Sequence, residues 1–166
     1  MKEGYTKFLI RTVDTDVVIL AVYVVQKVQV RHLWVAFGTG KGFRYLAIHE
    51  IVNSLGPDKS RAMPMFHAFT GCDSVSFFFG KGKKTCWNVW RSLEGVTQSF
   101  ISLLDSPEKI TEPESTAVLE RYVILIYDRT SAEVDVNIAR KTMFSQRGKD
   151  ISRIPPTKGT NVLASS

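Results

Sequence analysis

The chain predicts an α/β fold. Two observations carry that reading. Short β-branched runs of strand length stand in its first fifty residues, and segments with helical spacing fill much of the rest. Glycine, proline and aspartate mark many of the joints. At 166 residues, 44% hydrophobic and 23% charged, one domain with a real core is expected.

Lys7 to Val13 is β-branched enough for a strand that ends at Asp14-Thr15-Asp16. Val17 to Val28 has the β-branching of a buried strand and the length of a buried helix, and both readings stand. Leu33 to Phe37 and Phe43 to Ala47 read as strands around the turn Gly38 to Gly42. Ile48 to Leu55 has helical spacing and stops at Gly56-Pro57. Lys59 to Phe69 reads as a helix whose true start Pro64 could mark. Four further helices are expected over Thr85–Leu93, Val96–Leu104, Glu114–Arg129 and Ala132–Ser145. Pro107 and Pro113 bracket an acidic linker between the second and third of them. From Gln146 the pattern fades, and a flexible tail is expected unless a partner orders it.

Charge is unevenly placed. Net charge is +6, yet residues 17–49 hold Lys27, Arg31, Lys41 and Arg44 and no acid. Residues 74–93 likewise hold Lys81, Lys83, Lys84 and Arg91 without an acid, whereas residues 105–135 hold eight acids. Basic stretches flanking carboxylates fit an anionic polymer, although mixed charge also serves simply to keep a surface wet. Cys72 and Cys86 form no C-x-x-C pair, so neither a disulfide framework nor a zinc site is indicated, and a reduced intracellular setting follows. The longest apolar run, Val17 to Val25, is far short of the roughly 20 residues a membrane helix needs. No membrane association is expected.

Two constellations bear chemistry. Asp14 and Asp16 stand where the first strand ends, and ligands in α/β sheets bind beyond the carboxyl ends of strands. Asp73, after the turn Thr70-Gly71-Cys72, could reach the same crevice. Mg²⁺ or Mn²⁺ needs only one or two carboxylates when it keeps its waters. The competing reading is that these aspartates are helix N-caps. The second constellation is Gly80-Lys81-Gly82-Lys83-Lys84-Thr85, which opens a helix. Glycines let a phosphate approach the backbone, helix-terminal N–H groups point at it, and lysines add charge. An ordinary solvated turn is the alternative. It is not a Walker A loop, because Phe77 and Lys84 stand where Gly and Ser/Thr are required. Gly40-Lys41 fails likewise, with Val35 and Gly42 at those positions. His49-Glu50 lacks its second zinc histidine, since Asn53 occupies that place. His32 and His67 have no ligand-spaced partners and read as structural, as does Cys72. Trp87 and Trp90 read as core, as does the run Phe77-Phe78-Phe79, whose other reading is a wedge into nucleic acid.

Taken in order, DTDVVILA and the block from Phe43 to Thr85 resemble the second half of the nuclease domain in the flap endonuclease and XPG branch of the PIN-like superfamily. The chain looks especially like uncharacterised multi-copy animal members, and the resemblance covers about residues 8–95. It implies a three-layer PIN-like arrangement, with a partial parallel sheet, flanking helices and a C-terminal helical extension. It implies a partial nuclease domain over 1–105 with a helix-turn-helix near 73–93, an extension over 106–145 and a tail over 146–166. Asp14, Asp16 and Asp73 match metal-binding acids, while Gly80, Gly82, Lys83 and Lys84 match the DNA-backbone turn.

The turn departs from the family's G-I-G-P-K, and only thirteen residues precede Asp14. The upstream acids of active members are therefore missing, and the chain reads as a fragment. The favoured function is metal-dependent hydrolysis of DNA or RNA phosphodiesters, inactive in this chain alone, in a nuclear setting. The alternatives are a non-catalytic nucleic-acid-binding or scaffold module, and an interaction fragment whose acids cap helices. An open sheet edge is expected, covered by a partner or by the missing N-terminal half.

Overall fold

The computed structural model describes residues 6–28, 30–71, 78–107, 113–147 and 154–157. The chain is α/β, with a three-stranded mixed sheet and seven helices among those residues. It divides into two compact units, residues 1–67 and residues 68–166.

In the first unit, strand β1 (Lys7–Thr12) leads through Asp14 into helix α1 (Thr15–Val24). Strand β2 (His32–Phe37) follows and pairs parallel with β1, Lys7 opposite His32 and Thr12 opposite Phe37. Parallel neighbours need a crossover connection, and α1 lies on it. That requirement decides between the two readings of the apolar run in favour of helix. β2 then turns through a single 3-10 turn at Gly40–Gly42 into β3 (Arg44–Ala47), which pairs antiparallel with it. The expected parallel sheet is thus parallel only between β1 and β2. The six residues between β2 and β3 are too few for a crossover. Gly38 is fixed in this turn: its φ is +85°, and a Cβ there would meet the Gly42 carbonyl oxygen at 2.8 Å.

Helix α2 (Ile48–Leu55) has the span its periodicity predicts. Helix α3 (Pro57–Phe69) starts earlier than expected, because Pro57 suits the first helical position. Pro64 lies inside α3 and does not open it, although it cannot donate to the Ser60 carbonyl. The core joins Ala21, Val22 and Val25 of the α1 segment to Leu33 and Val35 of β2 and Ile48 of α2, flanked by Val18, Leu46, Val52 and Met63. One face of β2 is therefore buried under helices.

The second unit is helical: α4 (Lys83–Ser92), α5 (Val96–Asp105), α6 (Pro113–Tyr127) and α7 (Val136–Arg147). Its centre is aromatic. The Phe100 ring lies 5.6 Å from Phe69, 5.5 Å from Trp90 and 5.8 Å from Tyr122, centroid to centroid. Such tilted and edge-on pairs add to simple burial. The Tyr122 hydroxyl donates to the Cys86 carbonyl at 3.0 Å. Asp135 caps α7, accepting from Asn137 and Ile138 N–H at 2.8 and 2.9 Å. Residues 154–157 depart from the expected flexible tail: Ile154 and Pro155 are buried, and the Pro155 carbonyl accepts from Arg140. No described helix is long and apolar enough to cross a membrane.

Candidate functional site

The acidic pair sits where β1 gives way to α1. The Asp14 N–H donates to Thr12 Oγ1 at 3.0 Å, which bends the chain off the strand. Asp14 Oδ1 then accepts from the Asp16 N–H at 2.8 Å, so Asp14 is the N-cap of α1. Asp16 lies in the first turn of α1, where the helix dipole favours a carboxylate. Its Oδ1 is 2.6 Å from Nε2 of His67, near the end of α3. The imidazole is buried, whereas the Asp16 side chain is 48% exposed.

Among the described residues each carboxylate commits Oδ1 to a protein contact, so Oδ2 is the oxygen a ligand would use. Two single oxygens suit a hydrated Mg²⁺ or Mn²⁺, which is content with one or two carboxylates and several waters. Among the described residues, no group of three or more His, Cys, Asp or Glu is placed to hold a metal ion. Asp73 and Cys72, with the first half of the expected helix-turn-helix, lie outside the described residues.

The basic turn is built differently from its expected use. Gly80 has φ +67°, and the Lys81 N–H donates to the Phe78 carbonyl at 2.9 Å, forming a tight turn. Gly82 is the N-cap of α4 and offers no side chain to the first turn. The first two N–H groups within α4, of Lys83 and Lys84, precede the first donor bonded along the helix, which is Thr85 to Gly82 at 2.9 Å. Lysine placement is unequal. Lys81 Nζ lies 3.5 Å from the Tyr127 carbonyl and 5.4 Å over the Tyr127 ring. Lys83 donates to Thr70 Oγ1 at 3.1 Å and to the Gly71 carbonyl, fastening the backbone just ahead of residue 72. Lys84 is exposed, and Thr85 is half-buried. The turn thus combines one outward lysine with two that also serve internal contacts.

Cys86, behind this turn, is wholly buried, and burial pushes its thiol up to about 11 despite the opposing Lys83 and Lys81 charges. It is a packing residue, not a thiolate nucleophile. Trp90 is buried, donating from Nε1 to Thr97 Oγ1 at 2.9 Å, with Trp87 edge-on to it. Phe78 is buried and Phe79 is 67% exposed, so the aromatic run is divided. Sequence reasoning missed His67 as a site residue. It stands 51 positions from Asp16, and no local spacing announces a contact made by folding.

Comparison of the chain with family models, curated proteins and solved structures finds no match.

Proposed function

We propose that the chain binds nucleic acid and contributes to metal-dependent nuclease activity of the PIN-like, flap-endonuclease type. The observation that carries the reading is the carboxylate pair at the carboxyl end of parallel strand β1, with Asp16 held by His67 at 2.6 Å. Asp14 and Asp16 would hold one divalent ion through their Oδ2 atoms. Such an ion, when bound, polarises a phosphate oxygen or acidifies a water. The chain's own part is positional. The Thr12 and helix-cap hydrogen bonds fix the Asp14 carboxylate, and His67 fixes that of Asp16. Lys84 and the N-terminal end of α4 would receive a backbone phosphate, with Lys81 and Lys83 adding charge. DNA is the polymer favoured, which implies a nuclear setting.

A second reading is a non-catalytic nucleic-acid-binding module. The Asp14 cap favours it, since that bond gives the carboxylate a structural purpose without metal. One set of measurements separates the two. Blunt duplex DNA should bind with an affinity that falls steeply with salt, as released counterions drive such binding. The triple variant Lys81→Ala, Lys83→Ala, Lys84→Ala should weaken every sequence alike and flatten the salt slope by about one unit for each phosphate no longer neutralised. Unchanged affinity would remove the turn from the interface. Cleavage of a flap substrate with Mn²⁺, by the chain alone or with an added chain supplying further acids, that Asp16→Asn abolishes supports the nuclease reading; binding without such cleavage supports the second.

A further inference from the structure

The face of the sheet opposite the helical core carries exposed aromatic and basic side chains around a buried Ala36, with His49 of α2 packed against its His32 and Trp34. Alternation along β2 sends Leu33, Val35 and Phe37 toward the helical core and leaves His32, Trp34 and Ala36 on the other face. Register extends that face sideways. Leu9, Trp34 and Ala47 form one row, Arg11, Ala36 and Tyr45 the next, and Lys7 stands beside His32 at the strand start. Leu9 is 61% exposed, Tyr45 60% and Trp34 39%, and Lys7 and Arg11 are exposed as well. The three strands contain no carboxylate; of their cations Lys7 and Arg11 belong to this face, while Arg44 pairs with Phe37 and belongs to the other.

The two aromatic rings are braced. Trp34 packs edge-on against His49 at 5.4 Å, and His49 is itself tied through Nδ1 to the Leu33 carbonyl at 3.1 Å. Tyr45 packs edge-on against Phe43 at 5.2 Å. Trp34 and Tyr45 occupy diagonal positions on neighbouring strands, where Cα atoms stand about 7–8 Å apart. Ala36, small, lies between Arg11 and Tyr45.

We propose that this outer face is a stacking platform for single-stranded nucleic acid, with bases on Trp34 and Tyr45 and phosphates at Lys7 and Arg11. Charge selects the occupant. Strands that hold exposed cations and no carboxylate suit a polyanion, and exposed rings beside those cations suit one that carries unpaired bases. Paired bases in a duplex offer no free face to a ring. The platform goes beyond the lysine-turn reading, because it lies on different residues in the other unit of the chain.

The test uses the full chain with fluorescein-labelled dT12 and rU12, read by anisotropy, and a blunt 20-base-pair duplex in parallel. Both single strands, or one of them, should bind, and their ranking tells DNA from RNA. Trp34→Ala and Tyr45→Ala should each weaken single-strand binding by about 5- to 100-fold. The ratio of single-strand to duplex affinity should fall accordingly. Trp34→Phe, which keeps a ring and guards against a folding artefact, should retain most of the binding. Lys7→Glu with Arg11→Glu should weaken binding and flatten its salt dependence, whereas Lys141→Ala, an exposed lysine elsewhere, should not. Single-strand affinity unmoved by both ring deletions, in variants with the wild-type circular dichroism spectrum, overturns the platform. So does absence of single-strand binding together with a dimer that Trp34→Ala dissolves, which would make the face a protein interface. A lysine-turn failure looks different: it leaves duplex affinity intact in the lysine variants and does not touch the single-strand ratio.

Discussion

Nε2 of His67 lies 2.6 Å from Oδ1 of Asp16, joining the first turn of α1 to the end of α3 across 51 residues of chain. A buried imidazole meeting a half-exposed carboxylate couples the acidic end of β1 to the helix that carries the chain out of the first unit. The contact is a tether that commits one of the two Asp16 carboxylate oxygens.

Removing either partner should therefore be costly, and removing both less than additive. Asp16→Ala takes away an acceptor from a buried ring and should destabilise by about 1–2 kcal/mol. His67→Ala adds a packing loss. The double variant should show a coupling near 1 kcal/mol in urea unfolding, as for residues in direct contact. Strict additivity would mean that the tether contributes nothing to stability.

Asp14 allows its two suggested roles to be separated. Asparagine caps a helix about as well as aspartate but is a poor ligand for a hard cation, whereas alanine does neither. Asp14→Ala should lose about 1 kcal/mol and Asp14→Asn almost nothing. Mn²⁺ binding, followed by water proton relaxation, should fall in both variants. If the asparagine variant relaxes water as the wild type does, Asp14 is a cap alone.

Legibility in the sequence followed how local the deciding interaction is. Helix α2 could be read to the residue, because its apolar spacing and the Gly56-Pro57 stop both lie close at hand. The run that became α1 could not, since it is apolar on nearly every side and its identity depends on β1 pairing parallel with β2. Leu20 at 53% and Val24 at 41% exposure show that this apolarity is not all spent in the core. The expectation of a parallel sheet fails at β3 for the same reason, since its direction is fixed by a pairing and not by its own composition. Asp14 and Asp16 were legible as an acidic pair at a strand end; the partner of Asp16 was not. Trp34 was partly legible, because alternation in His32 to Phe37 already sets it opposite Leu33 and Val35.

Among the described residues β1 pairs only with β2, so one edge of the sheet is open. Phe8 is 45% exposed and Ile10 37%, on the same side as the core residues of β2. Parallel pairs are ordinarily covered on both faces, and an apolar open edge is a template for association. Phe8→Lys should lower light scattering at tens of micromolar protein, at a stability cost of about 1 kcal/mol. Scattering unchanged by the lysine would place the sticky surface elsewhere.

The last prediction concerns alkaline pH, and its sign follows from burial. Cys86 has its thiol pushed up from 9.0 to about 11, chiefly by burial. Tyr127 is pushed from 10.0 to about 12, burial first and Cys86 second. Burial also raises Tyr122, whose hydroxyl is spent on the Cys86 carbonyl. All three are neutral acids that the fold keeps protonated. Their contribution is fully present below the unfolded-state values and is lost as pH climbs toward the folded ones. The unfolded chain releases its protons first, so it binds fewer of them above pH 9 and stability must fall there. From pH 9 to pH 11 the fall attributable to Cys86 should be on the order of 2 kcal/mol, with Tyr127 extending it toward pH 12. Urea midpoints should be nearly level from pH 7 to 8.5 and then drop. Cys86→Ala should start lower, because it leaves a small cavity, yet decline more gently between pH 9 and 11. An identical slope in the wild type and this variant would show that the thiol titrates no differently folded than unfolded, and the alkaline loss would then rest on the tyrosines.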